Sequence, residues 1–322
     1  MNAVLCKIRI SIGSAAVLGL TKLKQQALPR TIYLMNSGGC QYNCSFCTQA
    51  KQATARADKL ARVSWPEFTT AAILQALKQK HTKYRRICLQ VVNTPNILPV
   101  LPDFIKQIKL ANPAVKLAVN IRTLDIKVID NLITAGADEI GLSIDAIDAQ
   151  IFKKIRHGQL DSLLKFIIIL AKKYPNKIAT HLIVGLGESE KDMVQIIKQL
   201  SKYKVIIALF AFTPVVGAQL PTQPSPNLSS YRRIQTALYL IRNNYPVKCS
   251  YNSKKQIISF GVTKSKLKKI LEQSNAFETS GCTDCNRPYY NDRAGQKQLY
   301  NYPDKIKTSA LANIVQSIFN YN

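Results

Sequence analysis

The 322-residue chain carries 45 Lys and Arg against 18 Asp and Glu, a formal charge of +27, and 47% of its residues are hydrophobic. That apolar share supports one large domain with extensions, or two ordinary domains, and excludes wholesale disorder. No apolar run reaches bilayer-spanning length, and Met1–Leu20 lacks a basic stretch, a full apolar block and a clear cleavage site, so it reads as mature sequence of a cytoplasmic protein.

From Thr31 onward strand-like and helix-like stretches alternate, which predicts an α/β fold with a parallel sheet. Thr31–Met35 is an apolar strand that runs into a cysteine-bearing loop. Ser64, Trp65, Pro66 and Glu67 form a capping-box pattern and predict a helix ending near His81. Ile87–Val92 reads as a strand, Pro102–Ala111 as a helix and Lys116–Ile121 as a strand. Leu124–Ala135 is amphipathic and is stopped by Gly136. Glu139–Ile144 is a strand, Asp161–Lys173 a helix halted by Pro175, and Ala179–Val184 a strand. Ser189 caps a helix through Leu200, Val205–Phe212 is a strand, and Ser229–Asn243 is a long helix. A full eightfold barrel takes ~250 residues, more than this span offers. The expectation is a partial (β/α)6 barrel of TIM type over 31–249, with its site at the carboxyl ends of the strands. Residues 1–30 and 250–322 are expected as N- and C-terminal extensions.

Five of the eight cysteines fall in two tight groups. In a chain this long they point to metal or redox chemistry and not to a small disulfide scaffold. Cys40, Cys44 and Cys47 share one short loop after the first predicted strand. A four-iron cubane takes four thiolates, so three leave one iron open to an exogenous chelator. The amino and carboxylate groups of S-adenosylmethionine (SAM) suit that iron. Electron transfer into the sulfonium would then break a carbon–sulfur bond and yield a deoxyadenosyl radical, while the protein positions the group and excludes water. A zinc site is the alternative, although zinc loops favour paired two-residue spacings and four ligands. Gly38 and Gly39 let the backbone fold closely around the cluster, and Phe46 is placed to shield it or to pack near adenine.

This CxxxCxxC loop, with Phe46 and then Gln49, resembles the radical SAM superfamily, in particular its biotin-synthase-like, sulfur-inserting branch. His181–Glu188 resembles the superfamily's glycine-rich strand end near adenine, which makes Gly185 and Glu188 cofactor-binding candidates; an ordinary strand–turn–helix is the other reading. Ser143 and Asp145 end the fourth strand, in place to bond the SAM ribose or amino group, though Asp145 equally suits a helix N-cap. Arg156 suits the SAM carboxylate, or a plain basic surface. Asn120 and Arg122 close the third strand at the pocket mouth, and Phe212 ends the sixth beside Thr213, Pro214 and Gly217. Gln90–Thr94 stands where many members carry a GGE motif, so the contact to the SAM amino group departs from the family there. No protein acid or base is assigned; the reacting group is the cluster-bound SAM.

Cys282 and Cys285 form a second short-spaced pair. A CxxC bite suits a cluster or a zinc ion, and a redox dithiol is a further reading, although no thioredoxin-like strand precedes it. The expectation is an auxiliary iron–sulfur cluster, with further ligands from Cys249 foremost and then Cys6; Cys88, inside a strand, reads as core. Arg9–Leu20, the cysteine loop and Thr279–Pro303 together resemble the two-protein lipoyl synthases of archaea and some bacteria. That resemblance implies sulfur insertion at carbon 6 or 8 of an octanoyl chain on a lipoyl-carrier protein, with a cluster sulfide as the source. It also implies a second radical SAM subunit, ferredoxin or flavodoxin as electron donor, and no membrane partner. The charge of +27 suits an acidic carrier, but lysine is spread along the whole chain and compositional bias explains it equally well. The rivals are biotin-synthase-type insertion into a small molecule, tRNA modification and a non-enzymatic metal scaffold. The tRNA reading lacks a basic stripe with interleaved aromatics.

Overall fold

The computed structural model describes residues 5–220 and 222–319; the first four, which open the stretch read as mature sequence, lie outside the described residues. The N-terminal part holds β1 (Lys7–Ile10), α1 (Ile12–Val17) and β2 (Thr31–Asn36). After the cysteine loop come β3 (Lys59–Leu60), β4 (Val63–Ser64), β5 (Glu67–Thr69) and α2 (Thr70–Gln79). Next are β6 (Arg86–Gln90), α3 (Ile97–Ala111), β7 (Lys116–Asn120), α4 (Ile126–Thr134), β8 (Glu139–Gly141), α5 (Ala149–Arg156) and α6 (Leu160–Lys173). The barrel strands end with β9 (Ile178–Val184), α7 (Glu190–Ser201), β10 (Ile206–Ala211) and α8 (Leu228–Arg242). The hairpin β11 (Ser250–Tyr251) and β12 (Ile257–Ser259), α9 (Lys264–Glu272) and α10 (Thr308–Ser317) complete the chain.

One eight-stranded sheet runs in the order β10-β9-β8-β7-β6-β2-β1-β5. The six strands from β10 to β2 are parallel and are the six expected from the sequence, so the fold is the expected α/β partial barrel of TIM type. β1 adds an antiparallel edge, paired to β2 on one side and β5 on the other. Alternation sorts the side chains. Ile32, Leu34, Ile87, Leu89, Leu117 and Val119 pack into the main core. Tyr33, Met35, Cys88, Gln90 and Asn120 face the barrel interior.

Three boundaries differ from expectation. Residues 63–64 and 67–69 are drawn into short strands, so α2 starts at Thr70, where the Thr69 side chain accepts from the Ala72 N–H. α3 begins at Ile97, well before Pro102, because Ile97 and Leu101 bury their side chains in the core. β8 stops at Gly141, and Asp145, in the left-handed region at φ 61°, rejoins β9 through a single parallel bridge to Leu182.

The C-terminal stretch has its own apolar cluster, with Leu240 of α8, Ile257, Leu267, Phe277 and Ile318 in it. It then returns to the barrel. Leu209 N donates to Ser280 Oγ (2.8 Å), and the Asn291 side chain donates to Ala211 O (2.7 Å), both along the free edge of β10. On the other flank Arg30 N donates to Asn286 Oδ1 (2.9 Å), and Arg287 N to the Tyr33 hydroxyl (3.1 Å). Residues 280–291 therefore bridge the side that six strands leave open between β10 and β2. Gly281 makes the approach feasible: it has φ 111°, and a Cβ there would stand 2.8 Å from Ala208 Cβ.

Candidate active site

A cavity of about 270 Å³ lies inside the barrel. Cys40, Cys44, Cys47 and Phe46 line it from the loop after β2. Gln41 N donates to Asn93 O (2.9 Å) and Ser45 N to Ile155 O (2.9 Å), which ties the loop to the turn after β6 and to α5. Gln49 N donates to Cys47 Sγ (3.3 Å), while the Arg122 and Arg156 guanidinium groups point at Cys44 Sγ at 3.3 and 3.4 Å. Burial, followed by the neighbouring Cys44 thiol, pushes the Cys47 thiol up to about 12. Among the described residues no three Cys, His, Asp or Glu side chains stand together to hold one metal ion. A cubane asks for something else, since its thiolates attach to separate irons. Three sulfurs on one cavity wall, with N–H and guanidinium donors aimed at those of Cys47 and Cys44, form a donor set that fits such a cluster.

Asp145 and Arg156 both line the cavity, but they hold each other. Arg156 Nη1 is 3.0 Å from Asp145 Oδ2, and Arg156 Nη2 donates to Ser143 O (2.7 Å). Burial raises the Asp145 carboxyl, against the pull of Arg156 and Arg122. Arg122 lies 4.0 Å over the Tyr42 ring and donates to Arg156 O (2.7 Å). Ser143 Oγ and His181 Nδ1 are 3.0 Å apart, and the His181 ring packs on Phe210 at 4.9 Å. Burial, then Arg287 and Arg156, lower His181 to about 3, so it is neutral at physiological pH. Phe212 lines the cavity.

Gly185 and Glu188 are not brought to this cavity. The Glu188 carboxylate accepts from the N–H groups of Gly185 (2.6 Å) and Leu186 (2.9 Å), because the turn after β9 folds back on its own side chain. Asn120 does reach the interior, yet its amide donates to Cys88 Sγ at 3.0 Å. That pose depends on Gly141, where a Cβ would stand 1.9 Å from Asn120 Oδ1.

Cys282 and Cys285 line the same cavity from the C-terminal stretch. Cys285 Sγ is 3.3 Å from the Tyr33 hydroxyl. Cys249 is not brought to them. It packs at the rim of the C-terminal cluster with Tyr251, because the β11–β12 hairpin belongs to that cluster and not to the barrel. Cys6 is exposed just before β1. Cys88, read from sequence as core, faces the cavity because it shares the inner face of β6 with Gln90. Burial, then the Cys285 thiol, pushes Cys88 up to about 12. A second, polar cavity of about 630 Å³ lies beyond Cys282 and Cys285, walled by Arg30, Arg85, Arg242 and Asp284. Cys88, His181, Arg287 and Tyr290 are cavity residues that sequence reasoning passed over. For Cys88 the period of two along β6 was an available signal; for Arg287 and Tyr290 there was none.

A model of the radical SAM superfamily matches residues 37–200. Among solved structures, methylornithine synthase (PylB) superposes with a TM-score of 0.54 at 15% identity, over 66% of this chain and 62% of that one. The [FeFe]-hydrogenase maturase HydG superposes with a TM-score of 0.54 at 13% identity, over 67% and 50%. Streptococcus suis SuiB bound to S-adenosylmethionine gives 0.51 at 12% identity, over 67% and 48%. At such identities the likeness is one of fold. An uncharacterised protein of Methanocaldococcus jannaschii is 27% identical over 151 residues, 46% of this chain and 34% of that protein. The match thus spans about a third of the curated relative's length. The superfamily match covers half of the sequence and opens at the cysteine loop, and on that footing this chain belongs to the radical SAM superfamily, whose members hold a 4Fe–4S cluster and SAM.

Proposed function

We propose that this chain is a radical SAM sulfur-insertion enzyme. Cys40, Cys44 and Cys47 would hold the cluster that binds SAM, and Cys282 and Cys285 would hold an auxiliary iron–sulfur cluster. The observation that carries the reading is that both cysteine groups line one cavity. When bound, the first cluster and SAM supply a deoxyadenosyl radical, and an auxiliary cluster supplies sulfur. The chain's own residues position and shield. Arg122 and Arg156 set positive charge against Cys44. Phe46 and Phe212 line the cavity and keep water from the reacting atoms. Met35, Ile183, Ala208 and Phe210 give the interior an apolar wall that suits an alkyl chain.

In its finest form the proposal is one subunit of a two-protein lipoyl synthase, acting on an octanoylated lipoyl-carrier protein beside a second radical SAM subunit. Ferredoxin or flavodoxin would deliver the electron. The formal charge of +27 suits an acidic carrier. The test is an anaerobically reconstituted enzyme offered octanoylated carrier, dethiobiotin and tRNA together, with products followed by mass. Sulfur should appear on the octanoyl chain. Cys40→Ala should abolish 5′-deoxyadenosine, whereas Cys282→Ala should preserve it and stop sulfur transfer. Sulfur on dethiobiotin, on tRNA or on nothing would refute the lipoyl assignment.

A further inference from the structure

We propose that Cys88 is a ligand of the auxiliary cluster, so that Cys88, Cys282 and Cys285 hold it together against the β2–β6 wall of the barrel. The inference rests on the reading that an auxiliary cluster exists, and it supplies the thiolate that a CxxC pair alone lacks. Strand register provides the first argument. Cys88 on β6 is the lateral partner of Tyr33 on β2, and the Tyr33 hydroxyl lies 3.3 Å from Cys285 Sγ. Adjacent strands are ~4.8 Å apart, so Cys88 projects into the space that the Tyr33 ring and the Cys282–Cys285 loop enclose. In a four-iron cluster each thiolate binds a different iron, so three sulfurs around a space fit one without meeting at a point.

The surroundings of Cys88 provide the second argument. Its sulfur accepts two amide N–H groups, from Gln90 Nε2 at 3.1 Å and Asn120 Nδ2 at 3.0 Å. A small apolar core thiol has no use for two such donors, whereas a metal-bound thiolate is held and tuned by them. The chain also reserves space for this arrangement, since Gly141 carries no Cβ to displace Asn120.

Charge and rigidity provide the third. Arg86, two residues before Cys88 on the same face, is buried and donates from Nη1 to Thr283 O (2.8 Å) inside the CxxC loop. Its other arm pairs with Glu139 at 2.6 Å. The strand that carries Cys88 therefore also grips the loop that carries Cys282 and Cys285. A guanidinium beside several thiolates offsets their charge. Cys249, the ligand expected from sequence, has no comparable relation to the pair.

The test uses the full chain with Cys40, Cys44 and Cys47 all replaced by alanine, reconstituted anaerobically with iron and sulfide. Iron and acid-labile sulfide should remain bound. Adding Cys88→Ser should remove most of the iron or change its Mössbauer spectrum, and adding Cys249→Ser should do neither. Thiol labelling of the reconstituted wild-type chain covers the event that a variant misfolds. Cys88, Cys282 and Cys285 should become protected together, while Cys249 labels as before. Unchanged iron and spectrum in Cys88→Ser, or a Cys88 thiol that still labels, would overturn the assignment and leave the auxiliary cluster standing. A triple-alanine chain that holds no iron, or holds zinc at the pair, would overturn both.

Discussion

Replacing Arg156 by methionine should destabilise the chain before it alters any chemistry. The guanidinium and the Asp145 carboxylate are 3.0 Å apart, with side chains 8% and 7% exposed. The substitution leaves that carboxylate buried, with Arg122 as the remaining cation that favours its charged form. Breaking a buried pair from one side costs about 3–5 kcal/mol, because the surviving charge stays desolvated. Arg122 offsets part of this, so the lower end, about 3 kcal/mol, is expected; that is roughly a hundredfold in the folding equilibrium. Asp145→Asn should cost a comparable amount, since it strands the Arg156 charge. The double variant should lose less than the sum, with a coupling of about 1–3 kcal/mol. Urea unfolding of the cluster-free chain, followed by circular dichroism, reads all three. If both single variants stay within about 0.5 kcal/mol of the wild type and only SAM binding weakens, the pair does not form in the free chain. Arg156 would then be available to the SAM carboxylate, as its place after the fourth strand suggests.

His181 sets a pH dependence. Buried and beside Arg287 and Arg156, it is lowered to about 3, whereas in the unfolded chain it titrates near ~6.5. Above pH ~6.5 both states are neutral and its contribution is complete; between ~6.5 and ~3 only the unfolded chain binds the proton, so stability falls by ~1.4 kcal/mol per pH unit and then levels off. His181→Gln should shrink the stability difference between pH 7 and 5 by about 2 kcal/mol in urea unfolding, and an undiminished difference would contradict the buried placement. Gly141→Ala puts a Cβ 1.9 Å from Asn120 Oδ1 and should cost about 1–3 kcal/mol, with Asn120→Ala in the same chain recovering most of it. A single variant as stable as the wild type would show that Asn120 does not cross Gly141.

The six parallel strands were readable in the sequence because each buries a short apolar run that local alternation and the turn residues around it already mark. The cysteine loop was readable for a related reason: its three sulfurs lie within eight residues, so chain connectivity alone holds them together. Local spacing also placed the Ser189 cap, whose side chain accepts from the Asp192 N–H as a helix start requires. The short strands 63–64 and 67–69 escaped because a capping pattern and an edge-strand pattern overlap there, and pairing of β5 with β1 decided between them. Other features depended on contacts between distant residues. Arg156 and Asp145 pair only because α5 carries Arg156 back to the segment after β8, where it also bonds Ser143 O. Cys88 faces Cys285 only at this register, and a one-residue slip of β6 would turn it into the core. Cys249 lies 33 positions from Cys282 yet belongs to another cluster, while Cys88 lies 194 positions away and shares its cavity. Spacing along the chain reports which groups are tethered close together; which groups meet across the barrel is settled by strand register and by the C-terminal stretch that closes its open side.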